Sequence, residues 1–334
     1  MNYIGSKYSI LDFLTEKIYE VSGYALGDNL VFADLFAGTG VVGAKFKENG
    51  CSVISNDIQY YSYVINKYLI ENCSNVDNSL VEYLNSLDGV SGFVYNNFCY
   101  GSGSGRNYFT DNNGRKCDAI RLEVEKLFNE NKISEQDYFG LIAGLINSID
   151  KCANTASVYG AFLKHIKKSA QKDFSLEMLH RPNGIQGKVF NEDVNSLITR
   201  IQGDVLYLDP PYNQRQYSSN YHVLETIARY DNPILKGKTG LRNSDEQKSK
   251  FCSKRTVEKE LEFLIANADF KYIFLSYNNE GLLDVEKIKD IMGKYGKYQC
   301  FTKTNRRFKA DKDVNRKILA KETTEFLHCM SKEF

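Results

Sequence analysis

The stretch NLVFADLFAGTG, residues 29 to 40, decides the fold. It is an apolar run of strand-forming residues that ends in Asp34 and passes into a turn containing glycine. VVGAKFKENG, residues 41 to 50, follows with helical spacing, and CSVISND, residues 51 to 57, predicts a second strand that ends in an acid. Strand, tight turn, helix and strand in this order predict an α/β fold with a Rossmann-like parallel sheet.

The alternation stops after a predicted helix, YYSYVINKYLIEN, and resumes with the predicted strand GKVFNED at 187 to 193. Helical VNSLITRI and the predicted strand GDVLYLD, residues 203 to 209, come next. Because one strand-helix-strand unit takes about 30 residues, the interval contains a surplus of roughly 80 to 100 residues. We therefore expect a catalytic domain made of residues 1–72 and 187–334, with a mostly helical domain inserted at 73–186.

The predicted insertion contains a polar, glycine-rich loop, NNFCYGSGSGRNYFTDNNGRK, and three predicted helices: CDAIRLEVEKLFNE, EQDYFGLIAGLINSIDKCA and the basic GAFLKHIKKSAQK. After residue 217 a long polar and basic stretch runs to about 257. A predicted helix at 256–267 and the strand FKYIFLSYN, residues 270 to 278, follow it. KYQCFTKT and TTEFLHCM would close the sheet, and RRFKADKDVNRK joins them.

Composition narrows the class of protein. The chain is 42% hydrophobic and 25% charged, with a formal net charge of +1, so a polyanionic partner would have to meet local basic patches. The eight cysteines form no CxxC pair, which argues against a zinc site and against a disulfide framework. No apolar run approaches the roughly 20 residues needed to span a bilayer. We expect a cytoplasmic protein with neither metal nor membrane partner.

The turn FAGTG lets the backbone approach a ligand at the start of a helix. Asp57 lies at the end of the next predicted strand, where an acid can accept hydrogen bonds from the ribose hydroxyls of a nucleoside cofactor. The same segment, GTGVVG, also matches GxGxxG through Gly43. A nicotinamide or flavin cofactor therefore remains a rival interpretation, as does a tight turn that binds no ligand.

The motif DPPY, residues 209 to 212, favours different chemistry. The Asp209 carboxylate and the carbonyl of Pro210, held stiff by the proline ring, offer two acceptors to one point. Such a pair suits an exocyclic NH2 group, which has two hydrogens to donate. Tyr212 provides a flat face for a base taken out of its stack. The alternative is a rigid loop after a buried strand, with Asp209 as a helix cap.

Together with YIGSK at 3 to 7, DLFAGTG at 34 to 40, SND at 55 to 57 and NED at 191 to 193, this motif resembles the Dam-like (class alpha) N6-adenine-specific DNA methyltransferases. The resemblance implies a Rossmann-like, S-adenosylmethionine-dependent fold with an inserted helical target-recognition domain. It implies S-adenosyl-L-methionine as cofactor and double-stranded DNA as substrate. The implied catalytic residues are Asp209, Pro210, Pro211 and Tyr212, and the implied cofactor-binding residues are Tyr3, Lys7, Phe36, Gly38, Thr39, Gly40, Asp57, Ile58, Asp193 and Asp209. Asp193 has a second interpretation, as the cap of the VNSLITRI helix.

The target amine lies inside the duplex, so the base would have to be flipped out, with Asn213 helping to seat it. Two basic segments are candidates for phosphate contacts, or else are solvated charged surfaces. The predicted DNA-binding residues are Lys164, Lys167, Lys168, Asn213, Arg306, Arg307 and Lys309. A cognate restriction endonuclease is a further expected partner. N4-cytosine, RNA and protein-glutamine methyltransferases remain alternatives, and so does a non-catalytic nucleic-acid-binding subunit.

Overall fold

The computed structural model describes residues 3–306 and 322–332. Its centre is a seven-stranded sheet in the order β3-β2-β1-β4-β5-β7-β6. The strands are β1 (Val31–Asp34), β2 (Ser52–Asn56), β3 (Lys188–Phe190), β4 (Gln202–Leu208), β5 (Asp269–Asn278), β6 (Lys297–Arg306) and β7 (Glu322–Ser331). The predicted α/β fold with a largely parallel sheet is confirmed, as are the last two predicted strands that close it.

The strand order places the site. β1 pairs in parallel with β2 on one side and with β4 on the other, so the chain reverses its direction of travel across the sheet at β1. In the β1 and β4 register Asp34 lies beside Tyr207. In an open α/β sheet, ligands bind beyond the carboxyl ends of the strands at such a reversal. β7 is antiparallel to both β5 and β6, and it lies between them.

The α-helices follow the chain in the order α1 (Leu11–Ser22), α2 (Val41–Glu48), α3 (Tyr60–Asn66), α4 (Asn78–Ser86), α5 (Phe93–Phe98), α6 (Asp111–Asn129), α7 (Glu135–Lys151), α8 (Val194–Leu197), α9 (Tyr217–Asn220), α10 (His222–Arg229), α11 (Val257–Asn267) and α12 (Val285–Gly293). None of these helices, which belong to the described part of the chain, is long and apolar enough to cross a membrane.

The described chain divides into two compact units. The sheet unit comprises residues 5–58, 182–216, 247–306 and 322–332, and the helical unit comprises 3–4, 59–181 and 217–246. One apolar core of the sheet unit contains Leu206 and Leu208 of β4, with Leu264 of α11 and Ile288 of α12. The predicted insertion at 73–186 falls largely within the helical unit, and its assignment as a target-recognition domain stays a prediction.

Buried charged groups hold the helical unit together internally. The Asp118 carboxylate on α6 accepts hydrogen bonds from the backbone N–H groups of Val94 and Tyr95 in the first turn of α5. Arg121, also on α6 and 2% exposed, donates to the carbonyls of Ile227 and Ala228 near the end of α10. Both contacts satisfy helix-end groups that would otherwise lack partners. α6 therefore organises the two shorter helices.

Three local predictions were wrong. The segment GAFLKHIKKSAQK is not an α-helix; it is irregular apart from a short 3-10 turn at Lys168–Gln171. The residues DNNGRK, predicted as loop, form the start of α6, because the Thr110 side chain accepts the backbone N–H of Asn113 and caps the helix. The stretch after residue 217, read only as polar and basic, contains the buried helix α10. The lysine-rich segment makes no helix because its backbone bonds to Asn154: the Leu163 N–H and carbonyl and the Lys167 N–H all pair with that residue.

Candidate active site

The glycine turn after β1 has the backbone geometry that its sequence predicted. Gly38 and Gly40 have φ of 51° and 74°, in the left-handed region that side chains disfavour. The Gly38 N–H donates to the Asp57 Oδ2 over 2.8 Å. The turn and the acid that ends the next strand are thus joined directly. α2 begins at the residue after Gly40.

A buried asparagine that the sequence interpretation passed over ties three strand ends together. The Nδ2 of Asn56 donates to the carbonyls of Leu35 and Glu192, each over 3.2 Å. Asn191 donates through its own Nδ2 to the Asp57 carbonyl over 2.7 Å. The NED segment is therefore attached to the backbone of the predicted ribose-binding acid. The Oδ1 of Asn56 in turn accepts the backbone N–H of Glu192. Only a side chain with both donor and acceptor atoms can make this set of contacts.

The remaining predicted cofactor positions in the sheet unit lie around this turn. Phe36 is half-buried and packs edge-on against Phe251, with ring centroids 5.1 Å apart. Thr39 is half-buried within the turn, and the Ile58 carbonyl accepts a hydrogen bond from Gln247. Asp193 is exposed and caps α8 by accepting the N–H groups of the second and third residues after it. The capping interpretation is confirmed, and contact of Asp193 with a cofactor stays a prediction.

Asp34 is a functional candidate that the sequence interpretation did not select. Its side chain is 1% exposed, and its Oδ1 has no hydrogen-bond partner among the described residues. Burial raises its pKa to about 8, and the nearby charge of Asp209 adds to the shift, while the backbone N–H groups of Gly43 and Phe36 oppose it. An unpaired carboxylate oxygen in a buried place is costly unless a ligand supplies a donor. The sequence feature that could have identified Asp34 was its place at the end of the strand before the glycine turn.

The DPPY motif brings its acid against two residues from opposite ends of the chain. The Lys7 ammonium lies 2.9 Å from the Asp209 Oδ1 and 3.1 Å from the Glu325 Oε1. Their side chains are 6%, 17% and 12% exposed, so the three charges interact with little solvent between them. Lys7 was predicted as a cofactor contact, and the structure places its ammonium beside Asp209, the predicted catalytic acid. Glu325, on β7, was not predicted at all.

This ion triad sets the charge state of Asp209. Burial raises the pKa of Asp209 to about 6; the Lys7 ammonium lowers it and the Glu325 carboxylate raises it. Burial alone would lower the pKa of Lys7, but the charges of Asp209 and Glu325 prevail and raise it well above its usual value. Lys7 is therefore a permanent cation. Asp209 is ionised at neutral pH and becomes protonated only slightly below it.

The rest of the motif presents acceptors and a ring. Among the described residues, none donates a hydrogen bond to the Asp209 Oδ2 or to the Pro210 carbonyl. Tyr212 is half-buried and packs edge-on to Tyr277 with ring centroids 6.3 Å apart, and its carbonyl accepts the Leu282 N–H. The loop is thus anchored through Tyr212. Pro211 is half-buried, and Asn213 accepts the N–H of the residue two positions on through its Oδ1.

Four of the predicted residues belong to the helical unit, and three others lie partly or wholly outside the described residues. Tyr3 belongs to the helical unit, where it stacks on Tyr221 at 4.8 Å and receives a hydrogen bond from the Tyr61 hydroxyl. Lys164 and Lys168 are exposed, whereas the Lys167 ammonium donates to the Thr155 carbonyl over 2.7 Å. Arg307 and Lys309, and the side chain of Arg306, lie outside the described residues. The part of the chain that the structure describes holds no group of three or more potential metal ligands.

The glycine turn, its paired acid and the DPPY loop at the strand reversal define the chain as a methyltransferase of the Rossmann-like class. A family profile described as D12 class N6 adenine-specific DNA methyltransferase matches residues 3–291, and the chain belongs to this family. It is 51% identical to the type II methyltransferase M.NlaIII of Neisseria lactamica, with both chains covered completely. It is 40% identical to M.FokI of Planomicrobium okeanokoites over its whole length, and it spans 53% of that protein.

The cofactor of the protein is S-adenosylmethionine, and the residues around the glycine turn fit it. Asp57 is held at the turn, where it can accept from ribose hydroxyls. The unpaired, buried Asp34 oxygen suits a cationic amino group, which the methionine part of this cofactor carries. The rival interpretation of the GxGxxG match, a nicotinamide or flavin cofactor, is therefore wrong. The individual contacts remain predictions that binding measurements with variants can test.

Proposed function

We propose that the chain methylates the N6 amino group of adenine within a specific sequence of duplex DNA, with Asp209 and Pro210 as the acceptors of the amine. The observation that carries this assignment is the pair of unengaged acceptors, the Asp209 Oδ2 and the Pro210 carbonyl, beside an ammonium that keeps the acid ionised. Bound S-adenosylmethionine supplies an electrophilic methyl group. The protein has to supply geometry and a proton acceptor.

The adenine amine is a poor nucleophile because its lone pair is delocalised into the ring. Hydrogen bonds from both amine hydrogens to Asp209 and Pro210 favour a pyramidal nitrogen and direct its lone pair away from the ring. Holding the reacting atoms in line then contributes most of the rate enhancement. The target base has to leave the duplex to reach these acceptors, and Tyr212 offers a face on which it stacks. Asn213 lies next to Tyr212 and is proposed to help seat the base.

Expression in a host that lacks adenine methylation tests the reaction and its sequence specificity together. The host DNA is sequenced by a method that distinguishes N6-methyladenine from N4-methylcytosine. We expect one short motif modified at adenine, and none in cells that express Asp209→Ala. Modified cytosine, or a fully active Asp209→Ala protein, would contradict the proposed chemistry. Methylated RNA with unmodified DNA would contradict the proposed substrate.

The exposed lysines of the helical unit are proposed to contact DNA phosphates. Lys164 and Lys168 are free to reach a polyanion, whereas Lys167 already donates to a carbonyl. Replacing Lys164 and Lys168 with Gln should lower the magnitude of the salt dependence of DNA binding by about one for each phosphate that is no longer neutralised. Lys167→Gln is the matched control and should leave that slope close to wild type. An unchanged slope in the double variant would exclude these two lysines as phosphate-binding residues.

The relatives M.NlaIII and M.FokI carry the description type II methyltransferase. We infer from this likeness that the chain protects a recognition sequence against a cognate restriction endonuclease, and that it works in the cytoplasm, where DNA is accessible. Purified DNA that the chain has methylated should resist an endonuclease that cuts the same motif when it is unmethylated. If the motif were cleaved equally with and without methylation, the protective role would be wrong.

A further inference from the structure

Glu325 is the member of the ion triad that lies outside every sequence motif. It lies on β7, opposite Asn278 of β5, and its Oε1 is 3.1 Å from the Lys7 ammonium. Its side chain is 12% exposed, and so it is largely removed from water. Keeping a carboxylate there is unfavourable unless its charge is compensated. Lys7 provides that compensation, but Lys7 is also the only cation within 4.0 Å of Asp209 among the described residues.

One ammonium shared by two carboxylates differs from a simple ion pair. A lone Lys7 and Asp209 pair would be neutral, and Lys7 would hold Asp209 firmly in its ionised, weakly basic form. With Glu325 the triad carries one net negative charge. The other ionisable groups that act on Asp209 and its neighbours are Tyr207, Tyr212, Asp34 and Asp57, and none of them is a cation. Glu325 therefore offsets the field of Lys7 at Asp209.

We propose that Glu325 is a positioning residue that acts through Lys7: it fixes the ammonium at Asp209 and keeps Asp209 basic enough to take the proton released by the methylated amine. This inference rests on the proposed function. It assigns to β7, beyond the segments that carry the sequence motifs, a part in the reaction. Glu325 itself does not touch the substrate in this assignment.

The proton balance of the reaction requires such an acceptor. The amine nitrogen donates its lone pair to the new nitrogen–carbon bond as the carbon–sulfur bond breaks and sulfur keeps the electron pair. The nitrogen then carries a positive charge and loses one proton. Asp209 already accepts a hydrogen bond from that hydrogen in the proposed geometry, so it takes the proton directly. An acid held too strongly by a cation would take it less readily.

The decisive measurement is the single-turnover methylation rate as a function of pH, with the wild-type protein and Glu325→Gln on the same duplex. Asp209 has to be ionised to accept the amine, so the rate falls as pH drops through its pKa. Removing the negative charge of Glu325 lets Lys7 lower that pKa. We expect the acid midpoint to move down by about one pH unit and the plateau rate to fall. Glu325→Asp, which keeps the charge, should keep the midpoint near wild type.

Glu262→Gln is the matched control, because Glu262 also pairs with a lysine, Lys294, over 2.7 Å but lies on α11. It should leave the midpoint unchanged. If Glu325→Gln lowers the rate with an unmoved or raised midpoint, Glu325 is only structural and the inference is wrong. A wild-type protein that forms no N6-methyladenine would instead refute the proposed function.

Should Glu325→Gln fail to fold, the comparison moves to the Lys7→Gln background. In that background Glu325 has already lost its partner, the Lys7 ammonium. Replacing Glu325 with Gln therefore leaves no ammonium without a carboxylate, and folding is not impaired for that reason. The double variant should have a lower acid midpoint than Lys7→Gln alone, because one fewer negative charge faces Asp209. Equal midpoints in the two proteins would overturn the proposed electrostatic action of Glu325.

Discussion

The ends of two neighbouring strands, β1 and β4, each place a carboxylate at the same edge of the sheet. Asp34 at the end of β1 contacts no cation among the described residues and has a pKa raised by burial to about 8. Asp209 beyond β4 is half-buried and paired with Lys7, and its pKa is about 6. The difference comes from the partner each acid has within the protein.

We propose that this difference separates cofactor binding from catalysis. An acid without an internal cation is completed by a positively charged ligand, so Asp34 is suited to hold the cofactor. An acid with an internal cation stays ionised without a ligand and keeps one oxygen available, so Asp209 is suited to meet a neutral amine. Environment rather than residue type assigns the roles.

The largest expected effect is the loss of transfer in Asp209→Asn. The amide still fits the loop, but it cannot accept the proton, so the single-turnover rate should fall by at least about 100-fold. Cofactor binding, measured by calorimetry, should stay close to wild type because Asp34 and Asp57 are intact. If the variant lost binding and kept its rate at saturation, the two acids would have their roles reversed.

A smaller effect, on affinity rather than rate, is expected for Asp34→Asn. Losing a charged acceptor for the amino group should weaken cofactor binding by about 10- to 100-fold. Asp57→Asn is the comparison, since it alters the ribose side of the same turn. Unchanged affinity in Asp34→Asn would show that the buried oxygen serves another purpose.

The stability of Asp34→Asn without cofactor provides its folding control. The folded pKa of Asp34, about 8, is above the unfolded value of about 3.9. The stabilisation from this acid is therefore complete below the unfolded pKa and is lost as pH rises through 8. Asparagine does not titrate, so the variant should become more stable than wild type as pH increases from 5 to about 9. Urea unfolding at several pH values measures this difference.

The smallest expected effect is a shift of pH dependence in Lys7→Gln. Without the ammonium, burial and Glu325 act unopposed and raise the pKa of Asp209, so the acid limb of the rate profile should move to higher pH by about one unit. This direction is opposite to that expected for Glu325→Gln. Cofactor affinity at pH 8 is the second measurement. A large loss of affinity with no shift of the limb would return Lys7 to its predicted role as a cofactor contact.

Local patterns predicted the central part of the fold. The strand, glycine turn, helix and strand at 29–57 carry their own signals, because a buried parallel strand is a short apolar run and left-handed φ needs glycine. The helix at 257–267 and the strand at 269–278 also carry local signals, helical spacing of apolar residues in the first and a short apolar run in the second. The helix predicted for the lysine-rich segment was wrong because the segment's backbone bonds to Asn154, a contact that the local pattern does not contain. α10 was missed because its burial depends on contacts with α6, which lies more than 90 residues earlier in the chain.

The amino-acid sequence by itself determined the α/β class, the glycine turn, the DPPY loop and the family to which they belong, since each is written in contiguous residues. Only the tertiary structure decided which charges meet. Lys7, Asp209 and Glu325 are separated by long stretches of the chain, and the fold brings the Lys7 ammonium within 3.1 Å of both carboxylates. The isolation of the Asp34 oxygen was equally invisible, because burial and the absence of a partner are properties of packing in three dimensions.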